Sequence, residues 1–106
     1  MVKNRLINNA SITVNATSTE ISKALYGAEG KRIVLALTNT STAGEVISIA
    51  IGQEAVAGKG IVLGQGASYV ASMDGSYIPP QDMVKAIESA GTGTLAIYEE
   101  IEMEYN

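Results

Sequence analysis

The segment Arg32–Tyr69 alternates strand-like runs with glycine turns, and this pattern constrains the fold more than any other feature of the chain. Within it, Ile47, Ile49 and Ile51 fall on one face of a period-2 pattern. Gly52 ends that run, and further glycines interrupt the residues that follow. Such a pattern is typical of short antiparallel strands joined by tight turns. It holds few side chains capable of chemistry, so it favours a scaffold or assembly module.

The same alternation, bounded by Gly, Asn and Pro, predicts eight or nine short strands along the chain. The clear candidates are Ser11–Ala16, Arg32–Thr38, Glu45–Ile51, Ile61–Leu63, Ser68–Met73 and Thr94–Tyr105. Thr19–Tyr26 and Met83–Ser89 each fit a strand or a helical turn, and we favour a strand for the first. We therefore expect an all-β fold, an antiparallel β-sandwich that is jelly-roll-like, formed by residues 1–106 as a single domain.

Three local signals predict how the strands begin, turn and pack. Lys3–Ile7 is either a short N-terminal arm, within residues 1–9, or a first strand, and Asn8–Asn9 predicts a turn after it. Asp74–Gly75 predicts a two-residue hairpin, because both central positions of a type I′ turn need positive φ. Arg32–Thr38 is apolar on both faces, which predicts a central strand buried on both sides.

Composition excludes several classes of function. The 106 residues include no Cys and no His, which excludes thiolate metal sites and removes the commonest general base. The formal net charge is −4, and the largest basic cluster is the pair Lys31–Arg32, so binding to nucleic acid is not expected. No apolar run approaches the roughly 20 residues of a membrane helix, and the N-terminus lacks the apolar core of a signal peptide. We expect no cofactor, no metal and no membrane partner.

The sequence disfavours a catalytic constellation. Asp74, Asp82 or Glu88 could in principle supply paired carboxylates for glycoside hydrolysis, but nothing in the sequence positions them together. Ser22 and Lys23 are adjacent, so on a strand they face opposite sides and cannot act as a Ser–Lys pair. We therefore expect that the protein is not an enzyme.

The two ends of the chain carry complementary charges. Glu100, Glu102 and Glu104 share one face of the last strand candidate, and Lys3 and Arg5 share the same spacing with the opposite sign. If the termini pair antiparallel, the cations lie opposite the glutamates, where exposed pairs set register rather than stability. Carboxylates spaced about 7 Å apart along a strand are too far apart to chelate one ion, so a calcium site is disfavoured. We predict that these five residues contribute to an interface.

Four segments together resemble a known class of proteins. They are RIVLALTNTS, VISIAIG, GIVLGQGASY and VKAIESAGTGTLAIYE, and they span about two-thirds of the chain, from Arg32 to Glu99. The shared features are a strand ending in Asn-x-Ser, a strand ending in Ile-Gly, a turn of the form L-x-x-G-x-S and a closing strand of the form G-x-L-x-I-x-E. This pattern resembles the small β-sandwich and jelly-roll structural proteins of the virions of bacterial and archaeal viruses.

The resemblance implies a non-enzymatic, capsid-associated role as a decoration, cement, penton or spike-base protein. The expected partners are then further copies of the chain, as a homo-oligomer, and the major capsid protein, and the expected location is the virion, after synthesis in the host cytoplasm. Two alternatives stay open. One is a carbohydrate- or peptide-binding β-sandwich module, and the other is a subunit of a fibre or pilus-like assembly held together by strand addition at a sheet edge.

Overall fold

The computed structural model describes the backbone of residues 2–25, 30–89 and 91–105 and the side chains of residues 4–25, 30–89 and 91–103. Within these ranges the chain forms eight β-strands and no helix, and so no helix that could span a membrane. The strands are β1 (Val2–Val14), β2 (Thr19–Ser22), β3 (Lys31–Asn39), β4 (Ile47–Ile51), β5 (Ile61–Leu63), β6 (Ser68–Ser72), β7 (Val84–Glu88) and β8 (Gly93–Tyr105).

The strands form two four-stranded antiparallel sheets. The long sheet has the order β1-β8-β3-β6, and the short sheet has the order β2-β7-β4-β5. The first strand pairs with the last, the second with the seventh, the third with the sixth and the fourth with the fifth. The chain is thus one nested hairpin folded over into two sheets, which is the strand order of a jelly roll. The all-β antiparallel sandwich predicted from the sequence is confirmed.

The core lies between the two sheets and contains mainly aliphatic side chains. Leu35 and Leu37 of β3 face Ile47 and Ile49 of β4, and all four are fully buried. Each strand places alternate residues on its inner face, so the period-2 pattern of the sequence becomes the lining of the core. Burial of one such side chain contributes about 1.5–3 kcal/mol, and these inner-face residues hold the two sheets together.

Burial on both faces was predicted for the wrong strand. The outward residues of β3 are half-buried, so the prediction that Arg32–Thr38 is buried on both sides is wrong. Instead β4 is buried on both faces, because the connection over residues 52–60 folds back across its outer side. There the backbone N–H of Gly58 donates to Oγ of Ser48 at 2.9 Å. The path of residues 52–60 decides that the outer side of β4 is covered, and no local sequence pattern predicts this path.

The N-terminal part of the sequence forms one continuous strand. The predicted turn at Asn8–Asn9 is wrong, because both residues lie in the ladder that pairs β1 with β8. Of the two possibilities for Lys3–Ile7, arm or strand, the structure shows the strand. The predicted strand Ser11–Ala16 belongs to the same element and ends at Val14. The equally long β8 offers hydrogen-bond partners along the whole of β1, and this outweighs the turn preference of asparagine.

Both ambiguous segments contain strands. Thr19–Tyr26 forms β2 over Thr19–Ser22, which confirms the favoured strand, while Tyr26 lies outside the described residues. Met83–Ser89 forms β7 over Val84–Glu88 and not a helical turn. Each is a short strand that pairs with a neighbour in the short sheet, so tertiary pairing resolves an ambiguity that local spacing leaves open.

The predicted hairpin exists, but its central residues are shifted by one. Asp74 and Tyr77 form an isolated antiparallel bridge, so the two central turn residues are Gly75 and Ser76 rather than Asp74 and Gly75. Gly75 has a φ of +60°, and no non-glycine residue of the described chain has a positive φ. A positive φ at the first central position alone corresponds to a type II′ turn rather than type I′.

Candidate functional site

One charged pair lies inside the sandwich. The side chain of Arg32 is fully buried, and its Nε lies 3.0 Å from Oε2 of Glu99, whose side chain is 5% exposed. Ser22 of β2 joins them, because its Oγ donates to Oε2 of Glu99 at 2.6 Å and accepts from Nη2 of Arg32 at 2.7 Å. On the other carboxylate oxygen, Nδ2 of Asn8 donates to Oε1 of Glu99 at 3.3 Å.

Every N–H of the guanidinium has an acceptor. Besides Glu99 and Ser22, these are the backbone carbonyl oxygens of Lys23 at 2.9 Å, Pro80 at 2.5 Å and Asp82 at 3.2 Å. Arg32 lies in the long sheet, whereas these carbonyls belong to the segments that follow β2 and precede β7. The five donors of one guanidinium therefore join the two sheets at this end of the sandwich.

A β-bulge turns Arg32 inward. The register of β3 against β8 shifts between Arg32 and Val34, which leaves Ile33 as the extra residue. Arg32 and Ile33 are both buried as a result, although neighbours on a regular strand face opposite sides. Sequence reasoning missed this pair. The available signal was Glu99, a carboxylate on the otherwise apolar face of β8, because a buried charge requires a partner of opposite sign.

Two of the three acidic residues considered as catalytic candidates accept hydrogen bonds from the backbone. Glu88 is 3% exposed, and its carboxylate accepts the backbone N–H of Gly91. Oδ1 of Asp82 accepts the N–H of Met83 at 2.8 Å, whereas Asp74 is exposed and forms the hairpin bridge through its backbone. Over the described residues, no group of three or more His, Cys, Asp or Glu side chains is placed to hold a metal ion.

The structure brings the charged ends of the chain together. In the ladder between β1 and β8, Arg5 lies opposite Glu102 and Lys3 lies opposite Glu104; the side chains of Lys3 and Glu104 are outside the described part. Nη1 of Arg5 lies 3.1 Å from Oε1 of Glu100. The termini therefore pair antiparallel, and the role of these five residues in an interface stays a prediction.

Glu100 and Glu102 also contact neighbours other than the N-terminal cations. The hydroxyl of Tyr98 donates to Oε2 of Glu100 at 2.6 Å, and this hydrogen bond raises the pKa of Tyr98. Nζ of Lys31 lies 3.9 Å from Oε1 of Glu102. These side chains form a network of ion pairs and hydrogen bonds on the outer face of the long sheet. Charges of both signs lie together at the end of the face that holds Lys31 and Glu102.

The two sides of the sandwich present different sheet edges. One side holds the edge strands β1 and β2, and the other holds β5 and β6. A groove of about 330 Å³ opens between β1 and β2, and its lining includes the apolar side chains of Leu6, Ile21 and Leu25 together with the charged residues Lys23 and Glu99. On the opposite side, β6 has the sequence Ser-Tyr-Val-Ala-Ser, without a charge or a proline.

The hydrogen-bond pattern of β6 shows which of its backbone groups face outward. The N–H of Met73 donates to the carbonyl of Ile33 at 2.8 Å, and the N–H of Asn39 donates to the carbonyl of Ala67 at 2.9 Å. Bonded positions alternate in an antiparallel pair, so the N–H and C=O of Val70 point away from β3. Natural proteins usually protect such an edge with charges, prolines or bulges, and β6 has neither a charge nor a proline.

Comparison with known proteins gives a likeness in structure only. The sequence matches no protein-family model and no curated protein sequence. Among solved structures, it is similar to a chain of the structure described as "Bacillus endospore appendages form a novel family of disulfide-linked pili". The TM-score is 0.62 at 19% sequence identity, over 100% of this chain and 93% of that one. At this identity the likeness shows a shared fold, so this chain has the same small all-β architecture as a protein of a bacterial spore appendage.

Proposed function

We propose that the chain is a non-enzymatic structural subunit that assembles with copies of itself into an open-ended polymer through the edges of its sheets. The observation that carries this proposal is the edge of β6, which offers outward N–H and C=O groups with no charge or proline to protect it. An extended partner strand can add to such an edge by main-chain hydrogen bonds.

The geometry favours a polymer over a closed dimer. The β5/β6 side and the β1/β2 side are different surfaces, so joining one to the other is a heterologous contact. Such contacts repeat from copy to copy and give a ring or an open filament. The groove beside Leu6 and Ile21 supplies apolar surface at the receiving side. Side-chain contacts there add to the backbone hydrogen bonds of the added strand.

The likeness to a pilus protein supports the same conclusion. That protein is described as forming disulfide-linked pili, and it shares the fold over nearly its whole length. This chain has no cysteine, so any polymer that it forms lacks disulfide links. Strand addition needs no covalent bond, so it is available to a chain without cysteine. A polymer formed in this way should dissociate in denaturant without a reducing agent.

The test is the substitution Val70→Pro, with Val70→Ala as its matched control. Val70 is 65% exposed and its N–H points to the open edge, so proline there removes no hydrogen bond within the subunit. We expect the wild-type chain and Val70→Ala to form filaments visible by electron microscopy, and Val70→Pro to remain folded without forming them. Filaments of Val70→Pro with wild-type length and yield, or a wild-type chain that stays unpolymerised at high concentration, would overturn the proposal.

A second candidate is a subunit bound to a viral shell, and the strand order favours it. The jelly roll is an architecture of capsid proteins, and a location on the virion with the major capsid protein as partner follows from this candidate alone. Sedimentation of the purified chain with and without empty capsids separates the two. A polymer that forms without shells favours the first proposal, whereas a small closed oligomer that sediments only with shells favours the second.

A further inference from the structure

Away from the end that holds Lys31 and Glu102, the outer face of the long sheet is poor in charge for a solvent-facing surface. Antiparallel sandwiches commonly alternate apolar residues inward with polar residues outward. Paired residues of the four strands form rungs across this face. The three successive rungs that contain Ala96, Tyr98 and Glu100 have four residues each, and Glu100 is the one charged residue among these twelve. Ile7 and Val70 lie on the same face and are 52% and 65% exposed. Short side chains on most of this face lose little conformational entropy when a partner covers them.

The two central strands of this face, β8 and β3, are complementary to each other. In the same rung, β8 presents Tyr98 and β3 presents Ala36, a large side chain beside a small one. In the end rung, β8 presents Glu102 and β3 presents Lys31. A two-fold axis parallel to the strands and between them would place β8 of one copy over β3 of the other. Tyr98 would then lie over Ala36 of the second copy, and Glu102 over its Lys31.

We propose that this outer face binds the same face of a second copy of the chain, about that two-fold axis. Each contact occurs twice by symmetry, which makes the interface isologous. The carboxylate of Glu100 can be covered without becoming an unpaired charge, because Arg5 and Tyr98 already contact it at 3.1 Å and 2.6 Å. The two Lys31–Glu102 pairs come together at one end and form a network of four alternating charges.

The size of the face sets the expected strength. Three rungs of four residues and an end rung of three, each residue covering about 7 Å along the strand and about 4.8 Å between strands, give a projected area of about 500 Å² per copy, or about 1,000 Å² in total. Specific interfaces begin near this size, so we expect a concentration-dependent dimer rather than a permanent one. This contact uses sheet faces and not sheet edges, so it goes beyond the polymer proposed above and would pair two such polymers side by side.

Charge reversal tests the proposal through rescue between chains. Lys31→Glu places Glu102 against a glutamate of the second copy, and Glu102→Lys places Lys31 against a lysine. We expect each variant alone to dimerise at least about tenfold more weakly than wild type. A mixture of the two variants restores both contacts between unlike chains, so native mass spectrometry should show the heterodimer in excess over either homodimer. The ion pair within each subunit stays broken in both variants, so an effect on the fold alone gives no such rescue.

A bulky substitution gives a second, independent readout. Ala36→Tyr adds a ring where the proposal places Tyr98 of the partner, and Val62→Tyr adds the same ring to β5 of the short sheet, at a residue 47% exposed. Sedimentation below the concentration at which filaments form should show a dimer with Val62→Tyr and a monomer with Ala36→Tyr. No heterodimer excess in the mixture, or an undiminished dimer with Ala36→Tyr, would overturn the face-to-face contact and leave the edge proposal untouched.

Discussion

Two arginines of this chain show how burial changes the contribution of an ion pair to the stability of the fold. Arg5 contacts Glu100 on the surface, and its side chain is 55% exposed, so solvent and salt screen the pair. Arg32 contacts Glu99 with no exposure to solvent, and its remaining donors bind backbone carbonyl groups. Removal of Arg32 leaves a buried carboxylate and several carbonyl oxygens without their donor. Removal of Arg5 exposes Glu100 to water, which replaces the lost contact.

The first prediction compares Arg32→Met with Arg5→Met. We expect Arg32→Met to lower the free energy of unfolding by about 3–5 kcal/mol, because it leaves Glu99 as an uncompensated buried charge. Arg5→Met should cost less than about 1 kcal/mol. Urea unfolding followed by circular dichroism measures both. Equal losses in the two variants would show that burial adds nothing to the contribution of the Arg32–Glu99 pair. In the double variant Arg32→Met/Glu99→Leu, part of the lost stability should return.

At the scale of elements, the connection between β4 and β5 covers the outer side of the short sheet. Gly58 and Gly60 both lie in this connection, with φ values of +81° and +79°. A Cβ on Gly60 would lie 2.4 Å from the carbonyl oxygen of Ile49, whereas nothing lies within 4 Å of a Cβ on Gly58. Gly60 is therefore required both for its backbone conformation and for close approach to β4.

The second prediction uses these glycines as a matched pair. Gly58→Ala should cost only the strain of a positive φ, about 1–2 kcal/mol. Gly60→Ala carries the same strain and in addition forces the connection away from β4, so its midpoint in urea should be clearly lower. Amide exchange in β4 should also rise in Gly60→Ala and stay at the wild-type level in Gly58→Ala. Identical midpoints for the two variants would show that the contact with Ile49 is not tight in solution.

At the scale of the whole molecule, the nested strand pairing governs how the chain folds. The strands β4 and β5 are close in sequence, whereas β1 and β8 join residues at opposite ends of the chain. Closing a long loop costs more entropy than closing a short one, and non-local sheets fold slowly. The first contacts with the lowest entropy cost are therefore those between β4 and β5. The pairing of β1 with β8 follows and completes the long sheet.

The third prediction follows from that order of assembly. Ile49→Val in β4 should mainly slow folding, and Val14→Ala in β1 should mainly speed unfolding. Both side chains are fully buried, so each substitution should destabilise enough for its effect to be divided between the two rates. Stopped-flow folding and unfolding in urea measure these rates, with folding expected on the millisecond-to-second scale. If a larger fraction of the destabilisation appears in the folding rate for Val14→Ala than for Ile49→Val, the proposed order is reversed.

Sequence and tertiary structure each decided a different part of this protein. Period-2 alternation and turn residues are local signals, so the sequence alone determined the all-β class, most strands and the apolar inner face, as Ile47 and Ile49 show. It did not reveal that Asn8–Asn9 continues a strand or that Arg32 meets Glu99, 67 residues further along the chain. Those features depend on the register of strands distant in sequence and on one bulge. Only the folded chain brings such partners together, because the residues that they bind lie far away in the sequence and no local pattern identifies them.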